Sequence, residues 1–217
     1  MENLKKTVRI GIYIIIIVIL WFFLHPPISK KLAAEIGMKN YKQWPQAPPM
    51  IITPNKKYYA TIITSKGTMK VDLFASEVPI TVNNFIFLAR EHFYEGMRFY
   101  RIIKDFIVET GDPNETGRGG PGYKFPHEPI VGGYTRGTLA MGNIGYNTNG
   151  SKIFFVVNDF NWPKDYVIFG KIKGSDINSL NTLEAIAAIS STQNADGEHS
   201  WPSENCIIDS VTISELP

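Results

Sequence analysis

Apolar and polar positions alternate with a period of two along several short stretches of the chain, and with a period near 3.6 along two others. Met69, Val71 and Leu73 alternate with Thr68, Lys70 and Asp72, which predicts a strand with one wet face. Its partner is Tyr58–Ser65, joined to it by a turn at Lys66-Gly67 in an antiparallel hairpin. Thr138–Met141, Lys152–Val157, Tyr166–Ile172 and Cys206–Ile213 read as further strands. Val78, Val82, Phe85, Leu88 and Ala89 recur at helical spacing behind Ser76, a candidate N-cap, and Pro79. A second helix over 176–189 carries a stripe of Ile177, Leu180, Leu183, Ile186 and Ile189. Strands and helices do not alternate, so the expected fold is mainly β: a closed eight-stranded antiparallel β-barrel capped by two α-helices.

The stretch Met97–Asp112 stands at the centre of this pattern. It predicts two short strands around a Lys104-Asp105 turn, with Phe99, Arg101 and Ile103 on one face of the first. Phe106, Val108 and Thr110 share a face of the second, with Ile107 and Glu109 opposite. An arginine inside such an apolar run must find partners or reach water, because an unpaired buried guanidinium is costly. From this stretch alone, an edge-strand arginine reaching solvent and an arginine held beside a pocket are equally open.

Residues 1–24 break both periodicities. The run from Ile10 to Leu24 is uncharged and apolar on every side, and Lys5, Lys6 and Arg9 precede it. A basic flank before an apolar run describes a secretory signal as well as a membrane anchor. The bulky Trp21-Phe22-Phe23 end, with no small-residue cleavage pattern directly after it, favours a retained N-terminal transmembrane helix. The protein is then a single-pass membrane protein with its body outside the cytoplasm, by the positive-inside rule. Residues 25–56 hold six prolines (Pro26, Pro27, Pro45, Pro48, Pro49 and Pro54) and read as a stiff linker, with a short helix around Lys31–Lys42. The folded domain is expected over 57–217.

Charge and composition then exclude several classes. The net charge of +2 arises in the first 31 residues, where five bases face one acid, so the remainder is slightly acidic and carries no sign of a nucleic-acid surface. Cys206 is the one cysteine, which excludes an intrachain disulfide, and no Cys/His grouping has metal-ligand spacing. Gly117, Gly119 and Gly122 spell a G-x-G-x-x-G, but Pro121 and Pro126 preclude the helix that a dinucleotide site needs. No cofactor or metal is expected.

Four stretches, taken together, carry more. Thr64–Phe74, Phe99–Ile103 with Phe106 and Gly111-Asp112, Met141–Asn143 with Asn147–Ser151, and Val167–Lys171 resemble, in order and spacing, the cyclophilin-type peptidyl-prolyl cis-trans isomerases, in particular their compact bacterial type. The resemblance spans about residues 57–214 and leaves out the N-terminal anchor and linker. It implies the capped eight-stranded barrel and a non-covalent rotation of X-Pro bonds in unfolded or extended polypeptides. It assigns Arg101 as the catalytic arginine, and Phe106, Ile107, Phe154 and Tyr166 as the lining of a proline pocket. By the same resemblance Asn143, with Gly142 and Ile144 beside it, holds the peptide backbone, and Trp162 borders the pocket and contacts inhibitors of the cyclosporin type.

The chain departs from the family pattern at several of these positions. Glu109 and Lys152 each stand where glutamine is usual, Thr110 replaces a glycine, Ile107 a methionine, and Tyr166 a histidine. A carboxylate at 109 is expected to pair with Arg101, Lys152 or both, since charge-assisted bonds are the stronger ones. Two functions follow: a membrane-tethered isomerase assisting the folding of exported proteins, or a weakly active or inactive tethered prolyl-peptide binder and chaperone. A barrel domain with no peptide site is the third reading.

Overall fold

The computed structural model describes residues 41–193 and 197–216. The apolar run at 1–24, the linker up to residue 40 and most of the expected 31–42 helix lie outside the described residues. Among the described residues no helix is long and apolar enough to cross a membrane.

The strands are β1 (Lys57–Thr64), β2 (Gly67–Leu73), β3 (Arg101–Ile103), β4 (Ile107–Thr110), β5 (Thr138–Met141), β6 (Ile153–Val156), β7 (Ile168–Lys171), β8 (Ser191–Gln193), β9 (His199–Pro202) and β10 (Ile208–Leu216). The helices are α1 (Pro79–Arg90) and α2 (Ile177–Ala187). Eight strands form one sheet in the order β10-β1-β2-β7-β5-β6-β4-β3, and every pairing is antiparallel. The sheet curls until its ends approach. There the contact is an isolated bridge, Arg98 to Ile207, with backbone bonds from Phe99 N to Cys206 O (2.9 Å) and Ile208 N to Met97 O (2.9 Å). The sheet is therefore a curled eight-stranded half-barrel whose edges meet through a bridge, where the sequence predicts a closed barrel. The β8–β9 pair is a separate two-stranded ribbon that the hydrophobic pattern leaves unassigned.

Strand alternation sorts side chains between two clusters. Val108, Leu139, Met141, Ile153 and Phe155 enter the interior core, with Phe85, Leu88, Phe169 and Leu183 from the helices and facing strands. Ile107, Ala140, Phe154, Val156 and Ile168 face the other way into a second apolar cluster. Both faces of β4, β5 and β6 are consequently buried. The alternation slips once before β3: Phe99 and Ile102 both point into the interior core, so Phe99 does not share the face of Arg101 as expected. The reason is that residues 97–99 bond to 206–208, and pairing with β4 begins only at Arg101. Phe106 likewise lies in the turn, and joins the second cluster instead of following Val108 inward.

Three local expectations are corrected. The β1–β2 turn residues are Ser65-Lys66, because Gly67 already pairs with Thr64. The N-cap of α1 is Val78, while the Ser76 hydroxyl bonds the carboxylate of Glu77. The open amides of that helix are taken by a distant group, Glu128, which accepts from Ile80 N (2.9 Å) and Thr81 N (2.6 Å); a carboxylate there also suits the helix dipole. In α2 the stripe holds for Leu180, Leu183, Ile186 and Ile189, but Ile177 is 59% exposed. Asp176 caps that helix by accepting from Ser179 N (3.1 Å).

The described residues from Tyr41 onward form one compact unit with the sheet. Over its described part the proline-rich stretch lies on the domain: Trp44 packs edge-on against Phe87 (5.2 Å between ring centres), and Ile52 is buried. The side chain of Asn83, itself buried, donates to Pro49 O (2.9 Å) and accepts from Ile51 N (2.7 Å). Prolines stiffen this segment without donating backbone bonds, so an asparagine amide supplies the missing partners. Asn83→Ala should destabilise the protein by about 1–3 kcal/mol, the range for orphaning such groups. Urea denaturation measures the loss, and faster hydrogen exchange at the Ile51 amide should accompany it.

Candidate active site

The strand register assembles the site. Arg101 on β3 lies opposite Glu109 on β4, Glu109 lies opposite Phe154 on β6, and Phe154 lies opposite Ala140 on β5. A guanidinium, a carboxylate and a phenyl ring thus stand in a row across three strands, on the face turned away from the interior core. A cavity of about 740 Å³ opens over this row.

One side of the cavity is apolar, built from Ile107, Phe154, Trp162 and Tyr166. Phe154 meets Tyr166 edge-on at 5.4 Å, and Trp162 lies 4.7 Å from Tyr166. Phe106 does not line the cavity; it stands behind the wall, 5.2 Å from Trp162 and 4.4 Å from Phe160. Tyr134 braces the same wall, its hydroxyl donating to Tyr166 O (2.9 Å) and accepting from Tyr166 N (3.0 Å). These mutual contacts hold the rings in place, so the apolar side is a pre-formed notch.

Gly142, Asn143 and Ile144 form the rim. The Asn143 side chain is committed to its own surroundings: Nδ2 donates to Asp165 O (2.9 Å) and Oδ1 accepts from Gly145 N (3.0 Å). A Cβ at Gly142 would sit 3.0 Å from both Glu109 Oε1 and the Lys152 side chain, so the glycine lets this rim lie close over the charged row. Ile144 is 56% exposed, an apolar side chain open to an incoming ligand.

The polar side concentrates charge. Arg101 Nη1 donates to Glu109 Oε2 (3.3 Å), Tyr100 donates to Glu109 Oε1 (2.7 Å), and Lys152 Nζ lies 4.0 Å from Glu109 Oε1. Glu109 pairs with both bases, as its replacement of glutamine implies. Lys152 is 7% exposed and also donates to Gly117 O. Burial depresses its pKa, and Glu109 opposes that shift. Burial beside Glu109 drives the Tyr100 hydroxyl far above the ordinary tyrosine range, so it stays protonated and donates to the carboxylate. Burial also works against the charge of Arg101, but its bonds to Glu198 and the nearby Glu109 outweigh it and raise its pKa.

Some of this wall has no signal in the sequence pattern. Glu198, Ser200 and Trp201 reach the cavity from the β8–β9 ribbon, and Tyr100 sits beside Arg101 because of the slip before β3. The loop at Asn114–Gly117 closes the remaining side. Asp112 organises it by accepting from Asn114 N (2.8 Å), Thr116 N (3.1 Å) and Gly119 N (3.0 Å). A Cβ at Gly119 would fall 1.9 Å from Asp112 Oδ1, so only glycine permits that wrap. Of the three glycines at 117, 119 and 122, Gly119 thus serves a carboxylate-centred turn, while Gly122 lets the chain lie against the Trp44 backbone, where a Cβ would fall 2.6 Å from Trp44 O. Glu115 of the same loop pairs with Arg98 (3.1 Å), whose guanidinium lies 5.4 Å from the Trp201 ring centre.

With this geometry established, the comparisons with known proteins agree on one family. Residues 59–213 match the family described as "Cyclophilin type peptidyl-prolyl cis-trans isomerase/CLD". A probable peptidyl-prolyl cis-trans isomerase A of Mycobacterium leprae is 40% identical over 71% of this chain and 91% of its own. A probable peptidyl-prolyl cis-trans isomerase B of Mycobacterium tuberculosis is 31% identical over 87% of this chain and 68% of its own. Among solved structures, a Cryptosporidium parvum cyclophilin-type isomerase crystallised in the presence of the dipeptide Ala-Pro superposes with a TM-score of 0.63 at 32% identity, covering 72% of this chain and 98% of that one. The chain belongs to the cyclophilin-type peptidyl-prolyl cis-trans isomerases. Its enzymatic class is that of the family, rotation about the peptide bond preceding proline.

The charged row makes a stability prediction. Glu109→Ala leaves Lys152, Arg101 and Tyr100 without their shared acceptor and should cost about 3–5 kcal/mol, the range for removing one partner of a buried pair. Glu109→Gln keeps an acceptor for Tyr100 and should cost about 1 kcal/mol, as for a single weakened bond. Urea midpoints of the two variants, compared at constant slope, check the order.

Proposed function

We propose that this isomerase rotates X-Pro bonds of exported polypeptides at the outer face of a membrane, held there by its N-terminal segment. The observation that carries the catalytic part is the pairing, across one cavity, of the Arg101 guanidinium with the apolar notch of Ile107, Phe154, Trp162 and Tyr166. The X-Pro amide resists rotation by about 18–20 kcal/mol because its C–N bond has partial double-bond character. No bond is broken in the turnover. In the twisted state the nitrogen becomes pyramidal and basic, and a donor aimed at it bonds that state more strongly than the planar one. The notch seats the proline ring, the Gly142–Ile144 rim holds the peptide main chain, and Arg101 donates to the nitrogen.

Two features support the cellular part: the basic flank and apolar run of residues 5–24, and the similarity to bacterial isomerases such as those of Mycobacterium leprae and Helicobacter pylori, consistent with the compact bacterial type. Exported chains meet such an enzyme while still extended, when their X-Pro bonds are accessible. Trp162 at the cavity wall is the contact proposed for cyclosporin-type inhibitors.

Glu109 and Lys152 favour a second reading, a tethered prolyl-peptide binder of low activity. The Glu109 carboxylate sits within the cavity wall and competes with the prolyl nitrogen for Arg101. Arg101→Ala should lower kcat/KM on a proline tetrapeptide by about 10²–10³-fold, the usual loss for one such donor. Glu109→Gln should raise kcat/KM several-fold, on the order of 1 kcal/mol of transition-state stabilisation. A protease-coupled assay decides: wild-type rates in Arg101→Ala would sink the catalytic reading, and a fall in Glu109→Gln would sink the competition. If residues 10–24 anchor the protein, the full chain stays with membranes after carbonate washing and its body is cut by protease added from outside. Release into the wash would exclude the tether.

A further inference from the structure

We infer that Glu198 is a positioning residue for Arg101, delivered from the β8–β9 ribbon to hold the guanidinium in its working orientation. This inference rests on the reading of Arg101 as the donor to the prolyl nitrogen. Arg101 Nε donates to Glu198 Oε2 at 2.8 Å, and Nη2 donates to Glu198 Oε1 at 2.7 Å. These are two parallel charge-assisted bonds on one edge of the fork, the geometry that fixes both the position and the plane of a guanidinium. The single bond to Glu109 is longer, at 3.3 Å. Glu198 therefore holds Arg101 more firmly than its neighbour on β4 does.

Donor arithmetic separates a clamp from a block. A guanidinium carries five N–H groups. The bonds to Glu198 and Glu109 occupy the one on Nε and one each on Nη1 and Nη2. One N–H on each terminal nitrogen remains, outside the paired bonds by which Glu198 grips the Nε–Nη2 edge. A side chain with four rotatable bonds is thereby reduced to one pose without losing the donors that catalysis uses.

The ribbon is constructed to deliver this carboxylate. Thr192 pairs with Trp201 and Gln193 with His199, so Ser200 is skipped in the register. Such a bulge bends its strand and redirects nearby side chains. Ser200 is buried, and Trp201 lies against the Arg98 guanidinium three residues before Arg101. Ser203 N donates to Ser190 O (2.8 Å) at the base of the ribbon. An isolated surface ion pair contributes little, but a bidentate pair on a half-shielded wall, tied down from both sides, is the exception.

The test is a double-mutant cycle on the full chain, with kcat and KM separated on a proline tetrapeptide. Glu198→Ala should lower kcat about tenfold and leave KM within twofold, because orientation and not peptide binding is lost. Glu198→Gln, which keeps one acceptor, should recover at least threefold of that. In an Arg101→Ala background, Glu198→Ala should change kcat by less than twofold. A kcat at or above wild type in Glu198→Ala would overturn the inference, and a faster variant would identify Glu198 as a block. An equal fall in the Arg101→Ala background would also overturn it, by showing that the residue serves only the ribbon's fold. If Arg101→Ala itself keeps wild-type activity, the underlying reading of Arg101 fails first, an outcome distinct from the other two.

Discussion

A guanidinium in the wall of a half-closed cavity needs partners, yet a guanidinium wholly consumed by partners can do nothing for a ligand. The region around Arg101 answers both demands. Two carboxylates approach from different elements, Glu109 across the β3–β4 pair and Glu198 from the ribbon, and together they raise its proton affinity despite burial. Lys152 and Tyr100 in turn share Glu109, so the five side chains form one connected polar group in which two bases face two carboxylates. Where the local dielectric is low, such a group stands or falls as a unit.

The rest of the architecture can be understood as support for that group. Buried strands β4, β5 and β6 give it a stiff base, with the interior core on one side and the aromatic notch on the other. Ring contacts among Phe106, Phe154, Phe160, Trp162 and Tyr166 keep the notch open without a ligand. The Asp112-centred loop supplies the wall opposite, and the Arg98–Glu115 pair ties that wall to the ribbon through Trp201. A rotation reaction asks only for shape and a directed donor, and rigidity is what both require.

Much of this was legible beforehand because period-two alternation reports directly on strand faces. Ile107 and Glu109 facing away from Val108 follows from it, and so does the antiparallel β1–β2 hairpin. Alternation reads only while a ladder is continuous. Phe99 and Phe106 departed from their expected faces because each lies where pairing starts or turns. The segment from 41 to 56 reads as a linker because proline density marks stiffness, while the asparagine that fastens it, Asn83, lies on a helix far along the chain. The cap of α1 was hidden for the same reason, since Glu128 lies 47 and 48 residues from the amides it accepts.

The amino-acid order by itself determined the strand and helix content, the family, and the presence of Arg101, Glu109, Phe154 and Trp162 at positions where side chains of those kinds meet a ligand. These are consequences of local periodicity and of short motifs, and neighbours in the chain suffice to express them. The tertiary structure alone decided that the sheet's edges meet at Arg98 and Ile207, that Phe106 stands behind the wall, and that Glu198 grips Arg101 from 97 residues away. Contacts between distant segments depend on how the whole sheet curls, and no window along the sequence contains both partners.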